Sequence, residues 1–394
     1  MTPGRVRVGI WGVFGRGNFG NEATLTAFLQ RLDPATHEPV LFCEDPEAAS
    51  ALHGVPARSL GSPVGDLPAS RLARIAATAS NRLRMITESR RAAGSVDVVV
   101  VAGTGGLERL GSGAFGTPFE IWSLARGSRR TRRAFLLLDI GVERLPRRLA
   151  RYFVRGAARS AVHRSYRDAP SRDGMVASGL RAAAHDPVVT DLAFSLRPER
   201  SPLSPDPTVV LGVMDYWGRD DSREDGATVH ERYLTECLAL VRELRSRGWR
   251  VRLAGGDDGD LVFARRLSDA LDDGIPVVEA RSPEALVREM SAAHVVIASR
   301  YHTVIMALLA GAPVLSIGYS GKHRAILAQL GLPDDGRDIE SFAGAEVAEA
   351  AIRLAGDRTA TTTRIDRAVD EARARLDVQW REVEPLLTAP GARR

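Results

Sequence analysis

The sequence predicts an α/β protein of two doubly wound, Rossmann-like domains facing each other across a cleft. Three observations carry that prediction. Short runs of Val, Ile and Leu, such as Val98–Ala102 and Val295–Ala298, are continuous rather than alternating, as expected of strands covered on both faces. Amphipathic stretches separate these runs, which indicates βαβ units and a parallel sheet. A proline-rich run, Leu196-Arg-Pro-Glu-Arg-Ser-Pro-Leu-Ser-Pro-Asp-Pro207, divides the 394 residues into two halves, each long enough to bury its own core.

In chain order, Val6–Trp11 reads as a strand, Glu22–Leu32 as a helix and Pro39–Cys43 as a strand. Asp97–Ala102 and Ala134–Leu138 are further buried strands, and Leu145–Arg159 is a basic helix. A short strand then delivers Arg164-Ser-Tyr-Arg-Asp168, followed by a helix that Ser171 helps to start. The second half repeats the alternation: strand Val209–Met214, helix Val229–Arg247, strand Arg250–Ala254, helix Leu261–Leu271 and strand Pro276–Glu279. Pro283–Ala293 is a helix with Ser282 as its cap and Pro283 in its first turn. Val295–Ala298, His302–Ala310, Val314–Ile317 and Lys322–Leu330 make two more strand–helix units, the last ended by Gly331. The expected division is therefore 1–198, a linker at 199–207, a second domain at 208–345, and helices over 346–394, including Thr363–Leu387, that could pack back on the first domain.

Hydrophobic residues at 44% and charged residues at 26% exclude a disordered chain. Cys43 and Cys237 are too far apart for a CxxC site and too few for a disulfide framework. No HExxH or His/Cys ligand spacing occurs, so neither a metal nor a resident cofactor is expected. No apolar run has the length of a membrane span or the layout of a signal peptide, which makes a cytoplasmic location the expectation. The net charge is +5, yet Lys322 is the only lysine among 54 basic residues. Given that arginine bias, the basic segments Arg129–Arg133 and Arg147–Arg155 read first as a solvated helix face. Peripheral attachment to anionic lipid, or to a polyanion, is the alternative. Aromatics at 6% do not interleave with these charges, so nucleic acid is not an expected partner.

Four segments could carry chemistry. Gly12-Val-Phe-Gly-Arg-Gly-Asn-Phe-Gly-Asn-Glu22 follows a strand and opens a helix, where backbone N–H groups can cradle an anion or a sugar hydroxyl. It lacks the Walker lysine and the dinucleotide glycine spacing, and Asn18, Asn21 and Glu22 add polar side chains, Asn21 being a candidate helix cap. Gly103-Thr-Gly-Gly106 suits a tight turn or a close approach to ligand. Arg167 and Asp168 end a strand, where an arginine can grip phosphate or carboxylate or close a salt bridge. The strongest signal is Ser299-Arg-Tyr-His302 followed one unit later by Gly318-Tyr-Ser-Gly-Lys322. Neighbouring units of a parallel sheet put their loops on one edge, so Arg300, His302 and Lys322 should converge at two helix amino termini. The positive end of a helix favours neutral imidazole, and a phosphate bound beside His302 would reverse that preference.

Taken together, these segments resemble the polysaccharide pyruvyl transferase family over roughly the whole chain. The carrying residues are Gly17-Asn-Phe-Gly-Asn-Glu22, Gly103-Thr-Gly-Gly106, Arg167-Asp168 with Ser171, Asp191-Leu-Ala-Phe194, Ser299-Arg-Tyr-His302 and Gly311–Lys322. The departures are Asn21-Glu22, where an Asp-Glu type pair is frequent, and Tyr301, where leucine is common. The resemblance implies a glycosyltransferase-B-like fold and transfer of pyruvyl from phosphoenolpyruvate to hydroxyls of a sugar, glycan or lipid-linked sugar. It implies His302 as the acid or a phosphate ligand, with Arg300, Lys322, Arg167, Tyr319, Ser320 and Gly321 on the donor. Asn18, Gly20, Asn21, Glu22, Gly105 and Gly106 would then line the acceptor side. Two other classes stay open: a nucleotide-sugar-dependent glycosyltransferase of the same fold, and a non-catalytic anion-binding protein.

Overall fold

The computed structural model describes residues 5–60, 71–103, 107, 113–143, 145, 147–219, 223–280, 282–332 and 336–388. Among the described residues twelve strands form two six-stranded parallel sheets. The chain divides into two compact units, Met1–Arg16 with Thr24–Leu192 and Arg375–Arg394, and Gly17–Ala23 with Ala193–Ala374.

The first unit is built from β1 (Val6–Trp11), α1 (Phe19–Leu29, whose first turn groups with the second unit), β2 (His37–Cys43), α2 (Pro46–His53) and β3 (Ala57–Ser59). It continues with α3 (Arg71–Gly94), β4 (Val98–Ala102), α4 (Thr117–Thr131), β5 (Ala134–Ile140), α5 (Arg148–Ser160), β6 (His163–Tyr166) and α6 (Ala169–Ala177). The strand order is β3-β2-β1-β4-β5-β6, so the sheet reverses direction of growth between β1 and β4. β4 is Val-Val-Val-Val-Ala and buried at every position, the state its unbroken apolar run requires. Local chemistry sets the helix starts: Asp45 accepts from Ala48 N (3.1 Å) ahead of Pro46, and Asp168 accepts from Ser171 N (2.7 Å) ahead of Pro170. Ser171 is thus the capped residue and not the cap. In the same way Asn18, not Asn21, caps α1, its Oδ1 accepting from Gly20 N at 3.1 Å and Asn21 N at 3.2 Å.

The second unit comprises β7 (Thr208–Gly212), α7 (Arg223–Ser246), β8 (Arg250–Ala254), α8 (Asp258–Asp269), β9 (Val277–Val278) and α9 (Pro283–Ser291). It goes on through β10 (Val295–Ala298), α10 (Tyr301–Leu309), β11 (Val314–Gly318), α11 (Lys322–Gln329), β12 (Arg337–Asp338), α12 (Gly344–Gly356) and the long α13 (Arg358–Thr388). Its order, β12-β11-β10-β7-β8-β9, repeats the first sheet's topology, with the reversal between β7 and β10. Val209, Leu211, Tyr233, Leu240, Phe263 and Ile297 belong to its core. Residues 193–207 group with this unit, and the proline-rich run is irregular but anchored, Ser201 N donating to Ser291 Oγ (2.7 Å) and Ser204 N to Ala292 O (2.9 Å). Among the described residues no helix is long and apolar enough to cross a membrane.

The end of α13, from Arg375, groups with the first unit. There Trp380 meets Phe28 edge-on at 5.9 Å, Asp377 pairs with Arg31 at 2.8 Å, and Gln379 Nε2 donates to Asp139 Oδ2 at 3.0 Å. Asp139 is fully buried in β5 with φ +48°, a conformation that Asp and Asn tolerate better than other L residues. Burial pushes its carboxyl up to about 7 from an ordinary 3.8, against hydrogen bonds from Ser165 and Gln379. The folded protein therefore keeps a proton that the unfolded chain releases near pH 4, and this group's stability contribution is lost as pH rises from about 4 to about 7. Asp139→Asn should remove that loss, since a half-turn of the Gln379 amide would present Oε1 to the new carboxamide. Its gain over wild type should grow from near zero at pH 4 to on the order of 1–4 kcal/mol at pH 8, measured by urea unfolding. A difference between the two proteins that stays flat over this range contradicts the expectation.

Candidate functional site

In the second unit the polar residues gather where the carboxyl ends of β7, β8, β10 and β11 open into loops. The position follows from topology: strands that diverge at β7 and β10 leave a gap outside their carboxyl ends, the usual ligand site of an open α/β sheet. β10 is held to β7 in register, Ala298 opposite Gly212, and Ser299 N donates to Gly212 O at 2.9 Å. A Cβ on Gly212 would lie 2.6 Å from Thr303 Cγ2, so glycine is needed for α10 to start this close to the sheet. The Ser299 hydroxyl is fixed by the buried Tyr233 hydroxyl at 2.9 Å.

Arg300 precedes the first residue of α10. One edge of its guanidinium is committed to carboxylates: Nε and Nη2 donate to Asp260 Oδ2 and Oδ1 at 2.6 and 2.7 Å, and Nη2 lies 2.5 Å from Asp257 Oδ2, while the side chain stays 23% exposed. Asp260 is 0% exposed and also accepts from Asp215 N (2.8 Å) and Gly256 N (3.0 Å), while Asp257 caps α8 through Asp260 N (3.0 Å). Burial works against the charge on Arg300, but the hydrogen bond to Asp260 and the two carboxylate charges outweigh it and hold the proton more tightly than usual. Through that edge Arg300, the residue expected on the donor, clasps the loops after β7, β8 and β10. Sequence inspection missed its two partners. Their signal was there in Gly255-Gly-Asp-Asp-Gly-Asp260, an acidic run at a strand-to-helix turn.

His302 falls in the first turn of α10 and is half-buried. The amino-terminal loop comes to it: a Cβ on Gly20 would sit 2.1 Å from His302 Nδ1 and 2.3 Å from Cγ, so the imidazole lies directly on the Gly20 backbone. Phe19 N donates to Gly256 O at 3.0 Å, and Gly17, at φ +69°, passes the Asp258 carboxylate. Asn18, Asn21 and the buried Glu22 thus join the second unit near His302. On the other side, the ring of Tyr301 meets His302 edge-on at 5.1 Å. Lys322 Nζ lies 5.5 Å from the same Tyr301 ring and 4.7 Å from that of Tyr319. Tyr301, the departure from the common leucine, is therefore the shared neighbour of the imidazole and the ammonium. Behind them His323 packs on Tyr319 at 5.0 Å, with Nδ1 3.3 Å from Ser320 O, and Gly321 leaves open space where a side chain would be.

Arg167 lies in the first unit, buried against Gly141 and within 3.5 Å of Asp168 Oδ2 and 3.7 Å of Asp191 Oδ2. It is an internal ion cluster of that unit, the salt-bridge alternative of the two readings. Gly105 and Gly106 lie outside the described residues. Trp217 in the loop after β7 and His230 in α7 are two further residues with no expected role. Trp217 is 52% exposed, donates Nε1–H to Asp215 Oδ1 (2.9 Å) and stacks on His230 at 4.1 Å. Arg266 Nη1 donates to His230 Nε2 at 2.8 Å, so Nδ1 carries the ring hydrogen toward Tyr216 O at 3.2 Å. Among the described residues no group of three metal-ligating side chains occurs.

Comparison with known proteins fits this geometry. The chain is similar in structure to a putative UDP-N-acetylglucosamine 2-epimerase from Listeria monocytogenes, with 13% identity, 97% of each chain covered and a TM-score of 0.61. It is also similar to the UDP-GlcNAc 2-epimerase of Neisseria meningitidis bound to UDP-GlcNAc, at 10% identity, 96% and 99% covered, and a TM-score of 0.60. A glycosyltransferase from Rickettsia africae gives 10% identity, 96% and 99% covered, and a TM-score of 0.59. These likenesses establish the fold, two Rossmann-like domains of the glycosyltransferase-B kind. No curated protein matches in sequence. The model of the family described as polysaccharide pyruvyl transferase matches residues 18–321, from the asparagine that caps α1 to the glycine before Lys322, and the chain belongs to that family.

Proposed function

We propose that the protein transfers pyruvyl from phosphoenolpyruvate to hydroxyls of a saccharide acceptor, with His302 and Lys322 at the donor. The reading is carried by one observation: the imidazole and the chain's single lysine share Tyr301 as a neighbour, at the starts of two consecutive helices. Phosphoenolpyruvate presents a phosphate and a carboxylate, which suit an ammonium and the positive end of a helix. In the reaction, imidazolium of His302 gives its proton to the methylene carbon, and the adjacent carbon takes the oxygen of an acceptor hydroxyl. The phosphate ester bond then breaks, and a second hydroxyl adds to the same carbon to close the ketal. Of the two hydroxyl protons released, one restores His302 and the other leaves with phosphate. Arg300 is a positioning residue here, fixing the loop that holds His302, while Lys322 meets the growing phosphate charge. The glycine at 20 lets the amino-terminal loop, with Asn18 and Asn21, reach the imidazole from the acceptor side.

A phosphate-release assay with phosphoenolpyruvate and a panel of free and lipid-linked saccharides tests this. Release that depends on a saccharide, with one deuterium in the product methyl when run in D2O, is the expected result. Hydrolysis or transfer from a nucleotide-sugar, with phosphoenolpyruvate inert, would instead identify a glycosyltransferase. The open face of Trp217 gives that second reading its footing, since a base or a pyranose could stack there. Donor binding with no phosphate release for any saccharide would leave the non-catalytic reading.

A further inference from the structure

The first unit carries an apolar and basic face that continues outward from its core and that the transfer reaction does not use. α3, α4 and α5 pack side by side at close range. A Cβ on Gly127 of α4 would lie 2.8 Å from Ser89 O of α3, and one on Gly156 of α5 would lie 2.7 Å from the Trp122 ring of α4. Across this layer runs a chain of touching rings: Phe115 to Phe153 at 5.7 Å, Phe153 to Tyr152 at 5.7 Å, and Tyr152 to Trp122 at 6.4 Å. Phe153 is buried, but Phe115 is 40%, Leu149 40% and Tyr152 56% exposed. An exposed run of aromatic and aliphatic groups of this kind marks an interaction site.

The charge around it is predominantly basic, with Glu88 of α3 paired to Arg84 and Glu120 in the first turn of α4 as the acidic exceptions. α5 holds Arg148, Arg151, Arg155 and Arg159 and no acidic residue, and residues 121–133 add five arginines and no acid. The arginines sit on the rings, the guanidinium of Arg82 3.3 Å from the Phe115 centroid and that of Arg126 5.5 Å from that of Trp122. Long cationic stems lying over amphipathic rings are the arrangement of a helix in the plane of a bilayer surface, with rings at headgroup depth and guanidinium groups on the phosphates. We infer that the face made by Phe115, Trp122, Leu149 and Tyr152 with the arginines of α5 docks the protein on an anionic lipid bilayer. The charge complementarity selects the bilayer over a second copy of the same face, which would bring like charges together. The exposed alkyl side chain of Leu149 beside the rings favours it over a soluble polyanion, which offers no hydrocarbon to bury it.

The test is flotation of the full chain with phosphatidylcholine vesicles, with or without 30 mol% phosphatidylglycerol, at low and at high salt. Binding to the anionic vesicles at low salt, at least tenfold above the zwitterionic ones, is the expected result. Tyr152→Ser and, separately, the pair Arg148→Glu with Arg159→Glu should each reduce it about tenfold. Leu52→Ser, an exposed apolar residue on α2, should leave it unchanged. Tyr152 is a surface ring, so its replacement spares the core, and the unfolding midpoint verifies that. Equal binding to both vesicle types, retention of binding by the Tyr152 variant, or a wild-type dimer that Tyr152→Ser disperses without any vesicle binding would each overturn the inference.

Discussion

Replacing His302 by Gln should lower kcat/KM for phosphoenolpyruvate by about 10²- to 10⁴-fold, the range expected when a positioned acid is removed from a carbon protonation. Gln keeps a hydrogen-bonding end of similar reach but cannot deliver a proton. Affinity for the donor should therefore fall far less than turnover, which separates the acid from a mere phosphate ligand. Steady-state kinetics and calorimetric titration of the donor give both quantities. Deuterium incorporation into the product methyl gives a third, and it should vanish together with turnover. A variant with native kcat would remove His302 from the chemistry. Native kcat with a weakened donor would reassign it to binding.

The second large effect belongs to Asp260. Its two oxygens accept four hydrogen bonds, two from Arg300 and one each from the Asp215 and Gly256 N–H groups, at a position closed to water. Asp260→Ala would leave a guanidinium with Asp257 as its remaining carboxylate and two buried N–H groups without acceptors. Breaking a buried ion pair on one side costs about 3–5 kcal/mol, because the other charge stays behind. The unfolding free energy should drop by that amount, and any surviving folded protein should lose activity because the loop that carries His302 has lost its clasp. A loss below about 1 kcal/mol in denaturant titration would mean that the cluster relaxes into water and contributes little.

How much of this was legible in the sequence depends on how local the signal is. β1, β8 and β10 match their expected bounds because each apolar stretch, interrupted by arginine in β1 and β8 and unbroken in β10, ends where a glycine-rich or polar loop begins. β9 was read one residue too long at each end, as Pro276–Glu279, whereas β12, two residues long, exists only by pairing with a neighbour and leaves little periodic trace. α3 went unread because its long mixture of Ala, Arg and Ser has no continuous apolar stripe, and packing on α4 supplies its order. Two caps were misplaced by up to three residues, since Asn18 and Asn21, or Asp168 and Ser171, carry equivalent oxygens and only backbone direction decides between them. The approach of His302 to Lys322 was foreseeable from two consecutive strand–helix units. For Arg167 the adjacent Asp168 already offered the salt bridge, but the partners of Arg300 were not legible, because an arginine's partner is fixed in space and not in sequence. Asp260 is 40 residues from the arginine it holds.

The seating of Gln379 and Trp380 against Asp139 and Phe28 has a consequence for biosynthesis. The unit translated first lacks part of its interior until residues 377–380 have been made. Everything the second unit needs has been translated by residue 374. The unit begun last can thus finish first, and the nascent sheet of the first unit must survive partly uncovered while the whole second unit is made, the interval in which a chaperone would have the most to gain.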